Sequence, residues 1–219
     1  MHRFVAPVFA AVAALLVARS APAQEAQFVP EPGFLSLFNG TDLTGWEGKP
    51  EWFRIEQGAI VAGKLDTKIP HNFFLCTQQE YGDFELRLQV KTRGDGVNGG
   101  IQIRSRRVEG SDEVSGYQAD IGGVPDRLVW GGLYDESRRN KFLAESDPGR
   151  LKTLVKTDDW NDYVIRCVGP RIELYINGEK TVDYSEQDAQ IARKGVIGVQ
   201  IHSGPPCEVW YRRLRIKTL

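Results

Sequence analysis

The sequence predicts an all-β fold, a sandwich of two antiparallel sheets. Three observations predict it. Apolar residues recur with a period of two rather than 3.6 over most of the chain, turn residues separate the alternating runs at regular intervals, and no long segment carries the apolar stripe of an amphipathic helix. The 23 Gly in 219 residues, against about 7% in average proteins, supply the turns that many short strands need.

Taken in chain order, residues 1–3 are a short basic start, residues 4–18 are almost wholly apolar, and Ala21-Pro22-Ala23 is a small-x-small cleavage site. Residues 1–23 are thus expected to be a secretory signal peptide, since the apolar run is shorter than the roughly 20 residues that cross a bilayer. A secreted or periplasmic location follows, with cleavage near Ala23. Losing Arg3 and Arg19 takes the 28 basic residues to 26 against 29 acidic, a net charge of −3. Cations scattered among acids make no field that grips a polyanion, which excludes nucleic acid as a partner. No second apolar span follows, which argues equally against membrane insertion. Residues 24–32, with Pro30 and Pro32, read as a flexible leader. Residues 33–219 then form one domain, a size all-β domains commonly reach; the oligomeric state is left open.

Phe84, Leu86, Leu88 and Val90 alternate with Glu85, Arg87 and Gln89, and Ile101 and Ile103 with Gln102 and Arg104. Tyr117 and Ala119 oppose Gln118 and Asp120; Tyr163, Ile165 and Cys167 alternate with Val164, Arg166 and Val168; Ile197, Val199 and Ile201 alternate with Gly198, Gln200 and His202. Each run is a strand with one buried face. Ile176-Asn177-Gly178-Glu179 holds the Asn-Gly pair suited to positive φ at both centres of a type I′ turn, so residues 171–184 form a hairpin. Arg212 falls in the apolar register of Trp210, Leu214 and Ile216; it is either displaced by a bulge or reaches into a pocket that pairs its charge. One stretch breaks the pattern. Residues 122–159 mix Gly, Pro and charge with little alternation, as an irregular functional loop or lid would, with a short helix around residues 135–145.

The polar faces of these strands carry the chemistry. Glu85, Gln102, Arg104, Gln118, Asp120, Gln200 and His202 suit a polyhydroxylated or carbonyl ligand, and on a curved sheet with adjacent strands they would converge in a groove. The competing reading is a solvated face with cross-strand pairs such as Glu85 with Arg104. His202 stands on a strand's polar face, and its titration range suits proton transfer. Trp130, beside Gly131 and Gly132, and Tyr134 are the aromatic candidates for stacking on a sugar ring. Beyond the signal peptide only His71 and His202 remain, without zinc-ligand spacing. The loop 94–100, with Asp95 and Asn98, offers oxygens to a divalent metal such as Ca²⁺, though without the ligand spacing of a calcium loop. Cys76, Cys167 and Cys207 allow at most one disulfide, and each also suits a small buried hydrophobe.

Several segments together carry a resemblance: FLSLFNGTDLTGW (34–46), GDFELRLQVKTRGDGVNGGIQIRS (82–105), GYQADIGG (116–123), WGGLYDE (130–136), DDWNDYVIRCVGPRIELYINGEK (158–180) and GVIGVQIHSGPPCEVWYRRLRIK (195–217). In this order they resemble the 3-keto-disaccharide hydrolase domain family. The resemblance implies a concanavalin-like jelly-roll sandwich, secretion by a bacterium, and action on glycosides oxidised at C3. Arg104, Gln118, Tyr134, Gln200, His202 and Arg212 match positions the family fills with the same or similar polar types. The family often has Glu where Gln118 stands and Asn where Arg213 stands.

A C3 ketone acidifies the hydrogen on C2, and the glycosidic oxygen on C1 is then a β-leaving group, so cleavage can run by elimination through an enolate and then hydration. Such chemistry needs a base near C2, a cation or donors at the C3 oxygen, and a proton for the leaving oxygen. His202 or Asp120 is the expected base, Arg104 or a bound metal the enolate stabiliser, and Tyr134 the acid. Gln118, Gln200, Glu85, Gln102, Trp130 and Arg212 are the candidates for holding an oxidised sugar or oligosaccharide. The alternatives are hydrolysis by two carboxylates about 5 to 9 Å apart, for which Glu85 and Asp120 would serve, a non-catalytic carbohydrate-binding module, and an adhesion or structural domain.

Overall fold

The computed structural model describes residues 28–219; the signal peptide expected over 1–23 lies outside them. Sixteen strands follow in chain order: β1 (Leu35–Ser36), β2 (Trp46–Glu47), β3 (Phe53–Glu56), β4 (Ala59–Lys64), β5 (Phe73–Tyr81), β6 (Phe84–Arg93), β7 (Asn98–Arg107), β8 (Val114–Val124), β9 (Arg127–Leu128), β10 (Leu133–Glu136), β11 (Phe142–Ala144), β12 (Asn161–Val168), β13 (Arg171–Ile176), β14 (Glu179–Ser185), β15 (Gly195–Ile201) and β16 (Cys207–Thr218). One α-helix among the described residues, α1 (Pro148–Leu154), separates β11 from β12, and a single 3-10 turn, Pro50–Trp52, precedes β3. The first sheet runs β14-β13-β12-β6-β16-β4-β3 with β1 on β16, and the second β11-β10-β8-β7-β15-β5-β2 with β9 on β8. All the pairings are antiparallel.

The alternating residues do what their period requires. Phe84, Leu86, Leu88 and Val90 from the first sheet and Ile101, Ile103, Val199 and Ile201 from the second belong to one buried cluster. Each such side chain contributes about 1.5–3 kcal/mol of burial. The Asn-Gly turn closes β13 and β14, with Asn177 at φ 50° and Gly178 at φ 87°. All three cysteines are free and buried; burial pushes the Cys76 thiol up to about 11 and the Cys167 thiol up to about 12. Among the described residues no helix is long and apolar enough to cross a membrane.

Three local expectations are corrected. Residues 122–159 are no detached lid, because β10 is a member of the second sheet, hydrogen-bonded to β8. Residues 135–145 hold no helix: Ser137 and Asn140 take positive φ and turn the chain back into β11, and the helix starts later, at Pro148, with Asp147 capping Gly149 N at 2.9 Å. The described part of the leader, from Phe28, is tied to the first sheet. Glu31 accepts from Arg87 at 2.9 Å and Arg215 at 2.7 Å, and the Arg213 and Arg215 guanidiniums lie over the Phe28 ring.

Candidate functional site

The second sheet sends Ile101, Ile103, Ala119, Ile121, Val199 and Ile201 into the core, so the residues between them face away from the first sheet. Register aligns these in rows. Tyr134 pairs with Gln118 and Gln118 with Gln102; in the next row Asp120 pairs with Gly100, Gly100 with Gln200 and Gln200 with Phe74. Outward residues of a sandwich are ordinarily wet. Here Gln102 and Gln200 are 0% exposed, Gln118 3%, Asp120 5% and Glu136 8%. The face is a dry polar layer, which is where hydrogen bonds and charges act most strongly.

Inside it the bonds run in one direction. Ser105 Oγ donates to Gln102 Oε1 at 2.8 Å, Gln102 Nε2 to Gln118 Oε1 at 2.6 Å, and Gln118 Nε2 to Asp120 Oδ1 at 2.7 Å. The Asp120 oxygen accepts from the Gln118 amide nitrogen, so Asp120 sets the orientation of both amides behind it. Gln200 Nε2 donates to Glu136 Oε2 at 3.2 Å. Glycine makes the layer possible: a Cβ at Gly100 would stand 2.4 Å from Gln118 Cδ.

Both carboxylates are hard to ionise. Burial, with the negative charge of Glu136 adding to it, pushes Asp120 up to about 8 against the pull of Gln118. Burial and the charge of Glu113 raise Glu136, which Gln200 and His202 oppose. Burial, then Glu136, Asp120 and Asp135, raise the Tyr134 phenol, so it stays protonated. His202 Nδ1 donates to Ser203 O at 2.7 Å, since a carbonyl only accepts. Perturbed carboxylates in one polar layer make it the candidate site. Among the described residues no group of three or more His, Cys, Asp or Glu is placed to hold a metal ion.

The structure thus brings together Gln102, Gln118, Asp120, Tyr134, Gln200 and His202. Four other candidates lie elsewhere. Arg104 sits in a bulge at φ 47°, which turns its side chain out of the row. The guanidinium clasps two turns instead, donating to Gly82 O at 2.8 Å, Gly169 O at 2.7 Å and Asp83 Oδ1 at 2.7 Å. Arg104→Ala is accordingly expected to cost about 3 kcal/mol of stability, read as a lower urea midpoint, with KM for any substrate unchanged. Glu85 is on the first sheet, accepting from Arg87 Nε at 2.7 Å, so it pairs with neither Arg104 nor Asp120. Trp130 is 3% exposed and part of the core. Arg212 keeps the outer face of Trp210, because the bulge on β16 falls just after it and turns Leu214 and Ile216 into the core; it donates to Gln89 Oε1 at 2.9 Å, and its guanidinium stacks 3.9 Å from the Trp160 ring centroid, on the first sheet.

Sequence reasoning missed Glu136 and Ser105. Glu136 belongs to a strand of four residues, too short for alternation to declare itself. Its neighbour Asp135, 0% exposed, accepts from Arg138 and Arg139, and Arg139 also binds Glu186, which anchors the strand. Ser105 lies in the bulge that displaces Arg104.

Residues 33–217 match the family model described as 3-keto-alpha-glucoside-1,2-lyase-like domain. No curated protein matches the chain. Among solved structures, a candidate glycosyl hydrolase of Parabacteroides distasonis is similar at 19% identity and TM-score 0.66, over 88% of this chain and 99% of that one. The carbohydrate-binding module of Bacillus subtilis gives 13% and 0.58, over 80% and 96%, and the beta-glucanase of Bacillus licheniformis 11% and 0.54, over 87% and 100%. At these identities the likeness is one of fold, a concanavalin-like jelly roll that hosts both enzymes and binding modules.

Proposed function

The chain belongs to the 3-keto-alpha-glucoside-1,2-lyase-like domain family, and we propose on that ground that it cleaves the glycosidic bond of 3-keto-glycosides by elimination across C1 and C2, followed by hydration. The observation that carries this reading is the pair Asp120 and Glu136, two buried carboxylates of raised pKa on one polar face. A binding module has no need to bury carboxylates, and doing so costs stability. An eliminase needs one group as a base and one as an acid, both matched to neutral pH.

Asp120, its carboxylate held by Gln118, takes the proton from C2. The C–H electrons form the C2–C3 double bond of an enolate, and the charge passes to the C3 oxygen. The enolate re-forms the ketone, the electrons move to C1–C2, and the C1–O bond breaks toward the departing oxygen. That oxygen takes its proton from Glu136. Water then adds across C1–C2, placing hydroxyl on C1 and a proton on C2. With Arg104 turned away, Tyr134 is the donor offered to the C3 oxygen, since the His202 Nδ1–H is already given to Ser203 O, and the bonds of Gln102 and Gln118 hold the amides of the layer in place.

The test is release of free sugar from 3-keto-trehalose or 3-keto-lactose by the purified protein. Turnover is expected, and binding without turnover would replace the enzyme by a carbohydrate-binding module. Expression with residues 1–23 present should place the mature protein outside the cytoplasm of a bacterial host, with a new N-terminus near Gln24.

A further inference from the structure

A cleft of about 300 Å³ opens beside the polar face, lined by Lys49, Phe74, Arg107, Ser111, Asp112 and Glu113. It lies within the roughly 300–1,000 Å³ range of small-molecule sites, at the lower end, with room for about one sugar ring. Two of its residues are each one residue removed from Glu136. Phe74 is the strand partner of Gln200, which donates to Glu136. Glu113 accepts from Ser137 Oγ at 3.2 Å, one residue beyond Glu136, and its charge acts on Glu136. The carboxylate assigned to protonate the departing oxygen therefore stands where the cleft joins the polar layer.

The lining has the composition of a hydroxyl-binding site. Lys49 Nζ lies 3.3 Å from Asp112 Oδ1, and Arg107 Nη2 donates to Glu47 O at 3.0 Å. An ammonium, a guanidinium, two carboxylates and the Ser111 hydroxyl thus supply donors and acceptors of both kinds beside one aromatic ring, and their charges nearly cancel. Such a surface suits a neutral ligand rich in hydroxyls. An alkyl or aryl group would leave these polar groups desolvated and unpaired.

We infer that this cleft is the subsite for the departing half of the substrate and that it selects a second sugar ring. The inference rests on the lyase reading for its function, but sugar binding in the cleft is measurable without turnover.

The experiment has two arms on the whole mature protein, with wild type and the double variant Lys49→Ala/Asp112→Ala, which removes a paired anion and cation together. In the first, backbone amide shifts are followed during a glucose titration. Saturable shifts at 48–49, 74, 107 and 111–113, lost in the double variant, are expected; shifts confined to other residues, or none at sugar concentrations up to 100-fold above the substrate KM or, without turnover, up to about 0.5 M, overturn the inference. In the second, KM is measured for 3-keto-lactose and for methyl 3-keto-glucoside. The variant is expected to raise the first about tenfold and to leave the second within twofold, whereas equal changes in both overturn the inference. If wild type turns over neither glycoside, the lyase reading falls, and the titration alone decides the cleft. Retained folding of the variant is checked by the unshifted amides of the core strands.

Discussion

Asp120→Asn is expected to lower kcat/KM by about 10²–10⁴-fold, the usual worth of a general base, and at the same time to stabilise the protein above pH 4. Both effects have one cause. The carboxyl is 5% exposed, and burial with the Glu136 charge pushes it up to about 8. In the unfolded chain it would titrate near 3.9. Below about pH 4 both states hold the proton and its burial costs nothing by this route. As pH rises the unfolded chain ionises first, unfolding releases a proton, and stability falls until the folded pKa near 8 is passed. The stability lost by pH 7 is on the order of 4 kcal/mol. Asparagine keeps an oxygen for Gln118 but carries no titrating proton. The variant's denaturation midpoint should therefore vary less than the wild type's between pH 4 and 8 and exceed it at pH 8. For the active enzyme, kcat/KM requires Asp120 ionised and Glu136 protonated together, so its pH profile should be bell-shaped. With p-nitrophenyl 3-keto-glucoside and Glu136→Gln, where no acid is needed, the falling limb should disappear and only the rise that belongs to Asp120 should remain; no rise there, or an Asp120→Asn variant with full activity, would remove Asp120 as the base.

Glu136→Gln tests the other half of the chemistry. Glutamine preserves the shape and can still meet Gln200 Nε2 through its own carbonyl, but it has no proton to give to a departing oxygen. With a 3-keto-disaccharide, whose leaving group is a poorly acidic sugar hydroxyl, kcat should fall about 10²–10³-fold. With p-nitrophenyl 3-keto-glucoside the nitrophenolate departs without protonation, and the loss should be less than about tenfold. Equal losses with both leaving groups would mean that Glu136 orients the layer rather than acting as an acid. Because Glu136 lies at the junction with the cleft, the same variant links the two regions kinetically.

How far the chain announces these features differs from residue to residue. Phe84 through Val90 and Ile197 through Ile201 declare their strands because a period of two is a local property of backbone geometry. Asn177-Gly178 declares its turn for an equally local reason, the requirement for positive φ. Gln118, Asp120, Gln200 and His202 are legible as a polar set because each stands opposite an apolar neighbour. Arg104 and Arg212 show where this reading breaks. Each follows a regular alternation into a bulge, at Arg104 with φ 47° and at Arg213 with φ 54°, and one inserted residue exchanges the two faces of a strand. Glu136 fails in the opposite way, since Leu133–Glu136 is too short to show a period and its strand identity comes from pairing with β8.

The alternation of side chains and the placement of turns were therefore written in the chain itself, because both follow from forces between residues a few positions apart. Which polar residues meet was decided by the assembled sheet. Asp120, Gln118, Gln102 and Ser105 form one chain of bonds, and Gln200 reaches Glu136, only once strands far apart in sequence lie side by side. The raised Asp120 and Glu136 carboxyls have the same origin. A pKa is set by water excluded and charges brought near, and both quantities exist only after the sandwich has closed.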